Sequence, residues 1–304
     1  MKNDELIDAP KHKDLIYDVG MHHGEDAAFY LRKGFRCVAF EADPENADFC
    51  RKRFAKFIHD GQLKIIEGAI IDTEAIQEGR KTIKFYKNED LSVLGTISSE
   101  WAEQNKKLGK SSKMIEVPMV NFEEAIKEHG VPHYMKIDIE GCDIVCLKAL
   151  KRFKTLPDYV SFESDRTSYA SNRREIGILV DLGYDGFQAV EQSEGTLAQV
   201  APFPAREGEY VALDFEKDSS GLFGAELAGN WKSKQEILRL CRAMRVGHYL
   251  VGNNGIMIKW SFKGSKRLQS WARRFVHYYT KTAVPGWHDI HARQTNGAKG
   301  GALP

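Results

Sequence analysis

The chain has 304 residues, 42% hydrophobic and 29% charged, which is ordinary globular composition with ample apolar mass for a core. A net charge of +1 leaves no basic footprint over the body of the chain, so a nucleic-acid partner is not expected. No apolar stretch reaches the length of a membrane span, the start MKNDELIDAPKHKD lacks a signal peptide's apolar segment, and five cysteines without C-x-x-C spacing argue for reduced thiols in a cytoplasmic protein.

Strand and helix patterns alternate along the chain. LIYDVG (15–20) reads as a strand, and Gly20 and Gly24 open a helix through AAFYLRKG. RCVAFEA (36–42) is the next strand, followed by a helix over 46–57 and a strand from Leu63 to Ile71. TIKFYK and IEVPMV are further strands before a helix from Phe122 to His129. YMKIDI precedes a helix from Asp143 to Phe153, and YVSFES precedes one from Asn172 to Leu182 that Gly183 stops. Residues 196–255, with several glycines and prolines, read as an irregular insertion or lid, and GIMIKW as a late strand. Such alternation predicts an α/β fold with a parallel sheet covered on both faces.

The segment LIYDVGMHHG carries the first chemical signal. Asp18 ends the apolar run, and glycines at 20 and 24 permit a sharp turn and a close ligand approach. Glu41, at the tip of the next strand, is placed to accept hydrogen bonds from ribose hydroxyls. The spacing is G-x-x-x-G, with Met21 after Gly20, and lacks the middle glycine of a dinucleotide site. An acid beside the loop would repel a pyrophosphate but suits a cofactor with an amino group and a sulfonium, which points to S-adenosyl-L-methionine.

Tyr134 to Leu150, YMKIDIEGCDIVCLKAL, carries the second. Lys136 and Asp138 interrupt an apolar strand that closes with Glu140 and Gly141 before an amphipathic helix. Ligands of an open parallel sheet bind beyond the strands' carboxyl ends, so Asp138 and Glu140 fall on the same edge as Asp18, Gly20 and Glu41. Asp143 is read as a helix-start acid.

DVGMHHG, FEADPEN, KIDIEGCDIVCLKAL and YVSFES occur here in an order and spacing that resembles the FkbM family of S-adenosylmethionine-dependent methyltransferases. The resemblance covers about Asp14 to Phe187, with weaker similarity through SSGLFG and GNW to Trp260; FEADP and the paired His22 and His23 depart from the family pattern. It implies a Rossmann-like sheet of about seven mostly parallel strands and methylation, usually of a hydroxyl on a sugar, glycan or natural product. Asp18, Gly20, Met21 and Gly24 then correspond to the loop holding the methionine moiety, and Glu41 with Ala42 to the ribose acid and its neighbour. Ala69, Ile70 and Asp72 fall at the adenine, while Asp138 and Glu140 lie near the transferred methyl. Glu163, closing YVSFES, could reach the acceptor.

Methyl transfer needs alignment, desolvation and removal of the acceptor's proton. Asp138 is the first choice of base, with His22, His23, Glu140 and Glu163 as rivals. A divalent metal at the acidic strand ends is compatible with the pattern, which does not demand one. Two other readings stay open: a non-catalytic nucleoside- or glycan-binding module, and an N-methyltransferase.

Residues 1–262 are expected to form the catalytic domain and 263–304 a basic amphipathic extension with eight Lys/Arg against one acid, Asp289. Leu268, Trp271, Ala272, Phe275 and Tyr279 make one apolar helix stripe. It fits a helix docked on the domain or a second subunit, or one lying on an anionic membrane surface at the inner face. His288, Asp289 and His291 either fold over the site or belong to this tail.

Overall fold

A computed structural model gives the structure over residues 5–295, apart from 74–75, 77–80, 89–111, 140, 166–167, 193–199, 213–214, 216–218, 253–254, 257–269, 273, 276–277 and 279–287. The described strands are β1 (Lys11–Val19), β2 (Arg36–Glu41), β3 (Leu63–Glu67), β4 (Ala69–Ile71), β5 (Thr82–Asn88), β6 (Ser112–Asn121), β7 (Val131–Ile137), β8 (Tyr159–Glu163), β9 (Gly186–Glu191) and β10 (His288–Arg293). The helices are α1 (Glu25–Arg32), α2 (Pro44–Arg53), α3 (Ala55–His59), α4 (Phe122–His129), α5 (Asp143–Ala149), α6 (Tyr169–Asp181) and α7 (Lys234–Val251). A seven-stranded sheet runs in the order β3-β2-β1-β7-β8-β10-β9, and a three-stranded sheet in the order β4-β6-β5. The large sheet is mostly parallel, as the alternating pattern requires, with β9 and β10 antiparallel to each other.

The chain divides into two compact units, Met1–Phe162 with Leu197–Leu227, and Glu163–Thr196 with Ala228–Pro304. In the first, β1 ends in five consecutive buried residues, the mark of a strand covered on both faces. Tyr17 of β1 meets Phe40 and Phe122, and its hydroxyl donates to the Gly130 carbonyl at 2.8 Å. Tyr30 and Tyr134 pack against Phe223, which stacks on Tyr134 at 4.7 Å. Phe223 is fully buried, so residues 219–227 supply core and are not a lid. A buried ion pair fixes the same segment: Lys33 Nζ sits 3.0 Å from Glu226 Oε1, and neither side chain has exposed surface.

Three expectations are corrected in this unit. Leu63 to Ile71 is two strands in two sheets, because Gly68 (φ 138°) donates to the Glu41 carbonyl and redirects the chain. A Cβ at that position would meet the Pro118 carbonyl oxygen at 2.6 Å. The helix over 46–57 begins earlier, at Pro44, because Asp43 caps it and proline suits the first helical position; it then breaks at Phe54. The helix from Asp143 turns into a 3-10 turn after Ala149.

In the second unit, the irregular reading of 196–255 fails at Lys234–Val251, where α7 forms behind a complete Ser233/Glu236 capping box. His288, Asp289 and His291, expected in the C-terminal extension, are buried in β10 and paired with β9. α6 packs on α7, and Gly183 (φ 94°) follows α6 as expected. In the tail, Ala272 is buried while Trp271 and Phe275 stack on each other and stay exposed; Leu268, Tyr279 and most of GIMIKW lie outside the described residues. No described helix is long and apolar enough to cross a membrane, and all five cysteines are free.

Candidate functional site

The glycine loop leaves β1 at Val19 and enters α1 at Glu25. Gly20 (φ 86°) and Met21 both donate to the Phe40 carbonyl at 3.0 Å, which ties the loop to β2. A Cβ on Gly20 would lie 1.9 Å from the Asp138 carbonyl oxygen, so this glycine is required by the β1–β7 approach as much as by any ligand. Gly24 (φ 81°) caps α1 and sits against the Phe54 ring, where a Cβ would lie 2.3 Å away. Met21 does not face a ligand surface with its side chain, which is buried with Leu31, Cys37 and Phe54; only its backbone belongs to the loop.

Beneath the loop lies a charge cluster whose centre is Lys136. Its ammonium is 3.1 Å from Asp26, 3.6 Å from Asp138 and 3.7 Å from Asp18. Three carboxylates against one ammonium leave an excess of negative charge at the ends of β1 and β7. Asp18 is fully buried, and neither of its oxygens has a hydrogen-bond partner among the described residues. Burial pushes its carboxyl up to about 7, against the pull of Lys136, and Asp26 adds to the rise. Asp138 is the accessible member, its side chain 40% exposed and its N–H donating to the Val19 carbonyl. Sequence reasoning missed Asp26, which reads as an ordinary first-turn helix acid; in the fold it also accepts from Ser220 N–H at 2.8 Å.

Glu41 ends β2, and its two oxygens accept from the backbone N–H groups of His22 and Asp43, each at 2.8 Å. Burial raises its carboxyl to about 7 despite those two bonds. Ala42, the neighbour of Glu41, and Ala69, expected at the adenine, pack on one small cluster with Phe85 and Val117. Ile70 is buried beside Ala69 in β4. Asp72 follows β4 and pairs with Lys148 at 3.6 Å, on the rim of a cavity of about 360 Å³ that Phe122, Val145 and Arg152 also line. That pairing turns Asp72 toward α5.

His22 adopts φ 49°, and its ring packs against that of His23 with centroids 3.9 Å apart and planes tilted by 32°. Glu25 holds both rings, with Oε1 3.3 Å from His22 Nδ1 and 3.8 Å from His23 Nδ1. Glu25's carboxyl is lowered: burial opposes its charge, but the bond to His22 and the α1 backbone outweigh it. The His23 ring is lowered, first by burial and then by its neighbour His22. Asp143 behaves as expected of a helix-start acid, accepting from Ile139 N–H at 2.9 Å. Glu163 closes β8 and is the first residue of the second unit, and Glu140 lies outside the described residues.

No curated protein sequence matches the chain. Solved structures do. An FkbM methyltransferase from Methylobacillus flagellatus KT is 14% identical, with a TM-score of 0.35 over 59% of this chain and 40% of that one. An O-methyltransferase from Bacillus cereus, solved in complex with SAH, is 12% identical, with a TM-score of 0.34 over 59% of this chain and 67% of that one. A precorrin-6y C5,15-methyltransferase from Geobacter metallireducens GS-15 is 13% identical, with a TM-score of 0.34 over 60% of this chain and 69% of that one. The family described as Methyltransferase FkbM domain matches residues 18–185, which include the glycine loop, Glu41 and the Lys136 cluster. With more than half of its length matched, the chain belongs to this family of S-adenosylmethionine-dependent methyltransferases.

Proposed function

We propose that the chain transfers a methyl group from S-adenosylmethionine to a hydroxyl of a sugar, glycan or natural-product acceptor. The observation that carries this reading is the surplus of carboxylate around Lys136 below a glycine loop whose neighbouring strand ends in Glu41. A cofactor bearing an ammonium and a sulfonium fits that field, and a pyrophosphate does not. Ribose hydroxyls suit Glu41, since each of its oxygens keeps one lone pair beyond its backbone bond. Ala42 and Ala69 would flank the base.

S-adenosylmethionine supplies the electrophilic methyl carbon, and the chain must do the rest. The loop backbone between Gly20 and Gly24 would orient the methionine end, with Asp18 acting from beneath it as a buried charge. Asp138, the exposed carboxylate of the cluster, would take the acceptor's proton as the new bond forms. Glu163, Glu140 and His22 are the alternative proton acceptors. The hydroxyl assignment is supported by the family resemblance and by the carboxylate of Asp138 at the exposed position.

Calorimetric titration with S-adenosylhomocysteine, with NAD as control, tests the reading. Micromolar binding of the former alone is expected; preference for NAD, or binding of neither, removes it. A pH series adds a second expectation. Glu41 and Asp18, both raised to about 7, accept donors and attract an ammonium best when ionised. Binding must therefore release protons, and affinity should fall below pH 7, approaching about tenfold per pH unit for each group. Affinity that is flat between pH 5.5 and 8 would remove both groups from the cofactor contact.

A further inference from the structure

With Asp138 as the base, the methyl-transfer reading assigns no role to the paired histidines of the glycine loop. Two adjacent residues of an extended chain point their side chains to opposite sides. Here His22 takes a left-handed conformation (φ 49°), which turns its ring to the same side as that of His23. That conformation is uncommon for a residue other than glycine, and the loop holds it through the His22 N–H bond to Glu41 and the Cys50 thiol bond to the His22 carbonyl. Glu25, in the first turn of α1, completes the group from below.

The distances approach those of a coordination shell. Bonds of about 2.0–2.1 Å to a tetrahedral ion place ligand atoms about 3.4 Å apart. His22 Nδ1 and Glu25 Oε1 are 3.3 Å apart, His23 Nδ1 and the same oxygen 3.8 Å, and all three ligand atoms lie within 4.8 Å of one another. Small side-chain rotations close the remaining gap. Asn46, itself buried, hydrogen-bonds the His23 side chain and so fixes that ring from outside, the arrangement that tunes ligand imidazoles in metal sites. The side chains are 18%, 39% and 11% exposed, so an ion can enter and retain open positions for water. Arg53, whose guanidinium donates to the His23 carbonyl, is a nearby cation that works against it.

We propose that His22, His23 and Glu25 bind one divalent transition-metal ion of the zinc class through two imidazole nitrogens and one carboxylate. Imidazole ligands select against magnesium and calcium, which take oxygen shells. The ion would clamp the loop to the start of α1, next to the Glu41 bond. Its binding does not depend on the identity of the cofactor.

The test uses the full chain without an affinity tag. Cobalt(II) is titrated and followed by its visible absorption, and zinc(II) is measured by competition with a chromogenic chelator. His22 also supports the loop backbone, so the informative variants are His23→Ala and Glu25→Gln, each checked by its melting temperature in metal-free buffer. One equivalent should bind with micromolar or tighter affinity and raise the melting temperature of the parent chain. Each variant should weaken binding at least about tenfold, the range seen on loss of one ligand or its support. His59→Ala, which removes an exposed histidine beside Asp60, should leave it unchanged. Absence of saturable one-to-one binding, or unchanged binding in either His23→Ala or Glu25→Gln, overturns the proposal.

Discussion

Replacing Asp138 with asparagine is expected to lower methyl-transfer turnover by about 10²–10⁴-fold, the usual worth of a positioned base. S-adenosylhomocysteine affinity should stay within a few-fold. The substitution keeps the shape of the side chain and its backbone bond to Val19, and removes its charge and its ability to take a proton. Two carboxylates, Asp18 and Asp26, remain beside Lys136 to hold the field that a cationic cofactor would feel. Turnover and product-analogue affinity should therefore separate, and measuring both on one preparation distinguishes a lost base from a collapsed site. Parallel loss of affinity would mean that Asp138 holds the cofactor. Unchanged turnover would move the base to Glu163, Glu140 or His22.

Why Asp138 and Lys136 could be noticed at all is a matter of contrast. Two charges in an otherwise apolar strand are costly unless they meet partners, and the pattern YMKIDI shows them without any structure. Glu41 was legible for the same reason, at the end of RCVAF. Asp26 was not, because an acid in a helix's first turn has an ordinary local explanation, and its pairing with Lys136 and Ser220 spans over a hundred residues. Gly68 hid the second sheet: one glycine between two apolar runs leaves the period of two intact while the backbone turns through it. The helix at Lys234–Val251 was readable in principle, since Ser233-Lys-Gln-Glu236 is a capping-box pattern, but the surrounding glycines and prolines drew the eye to irregular structure. β10 escaped because His288, Asp289 and His291 look polar, and only burial against β9 reveals them as interior.

Lys33→Met should destabilise the chain by about 3–5 kcal/mol, the cost of leaving a buried carboxylate without its counter-charge. Lys33 Nζ donates to Glu226 Oε1 and to the Glu209 carbonyl, both at 3.0 Å, and lies 5.2 Å from the centre of the Phe29 ring. Glu226 Oε1 also accepts from the backbone N–H groups of Arg206 and Glu207, so the pair gathers the 206–226 segment onto the end of α1. Methionine matches lysine's apolar stem, which isolates loss of charge from loss of packing. A double variant, Lys33→Met with Glu226→Gln, keeps an acceptor for Arg206 N–H and removes the stranded charge, so it should recover most of the loss. Urea midpoints of the parent and three variants close the cycle; a single-variant loss below about 1 kcal/mol would mean that water reaches Glu226. The consequence reaches the site, because the same segment contains Ser220, whose N–H bonds Asp26 beside Lys136. Lys33→Met should therefore also weaken S-adenosylhomocysteine binding if Asp26 depends on that anchor, whereas the double variant should restore both properties together.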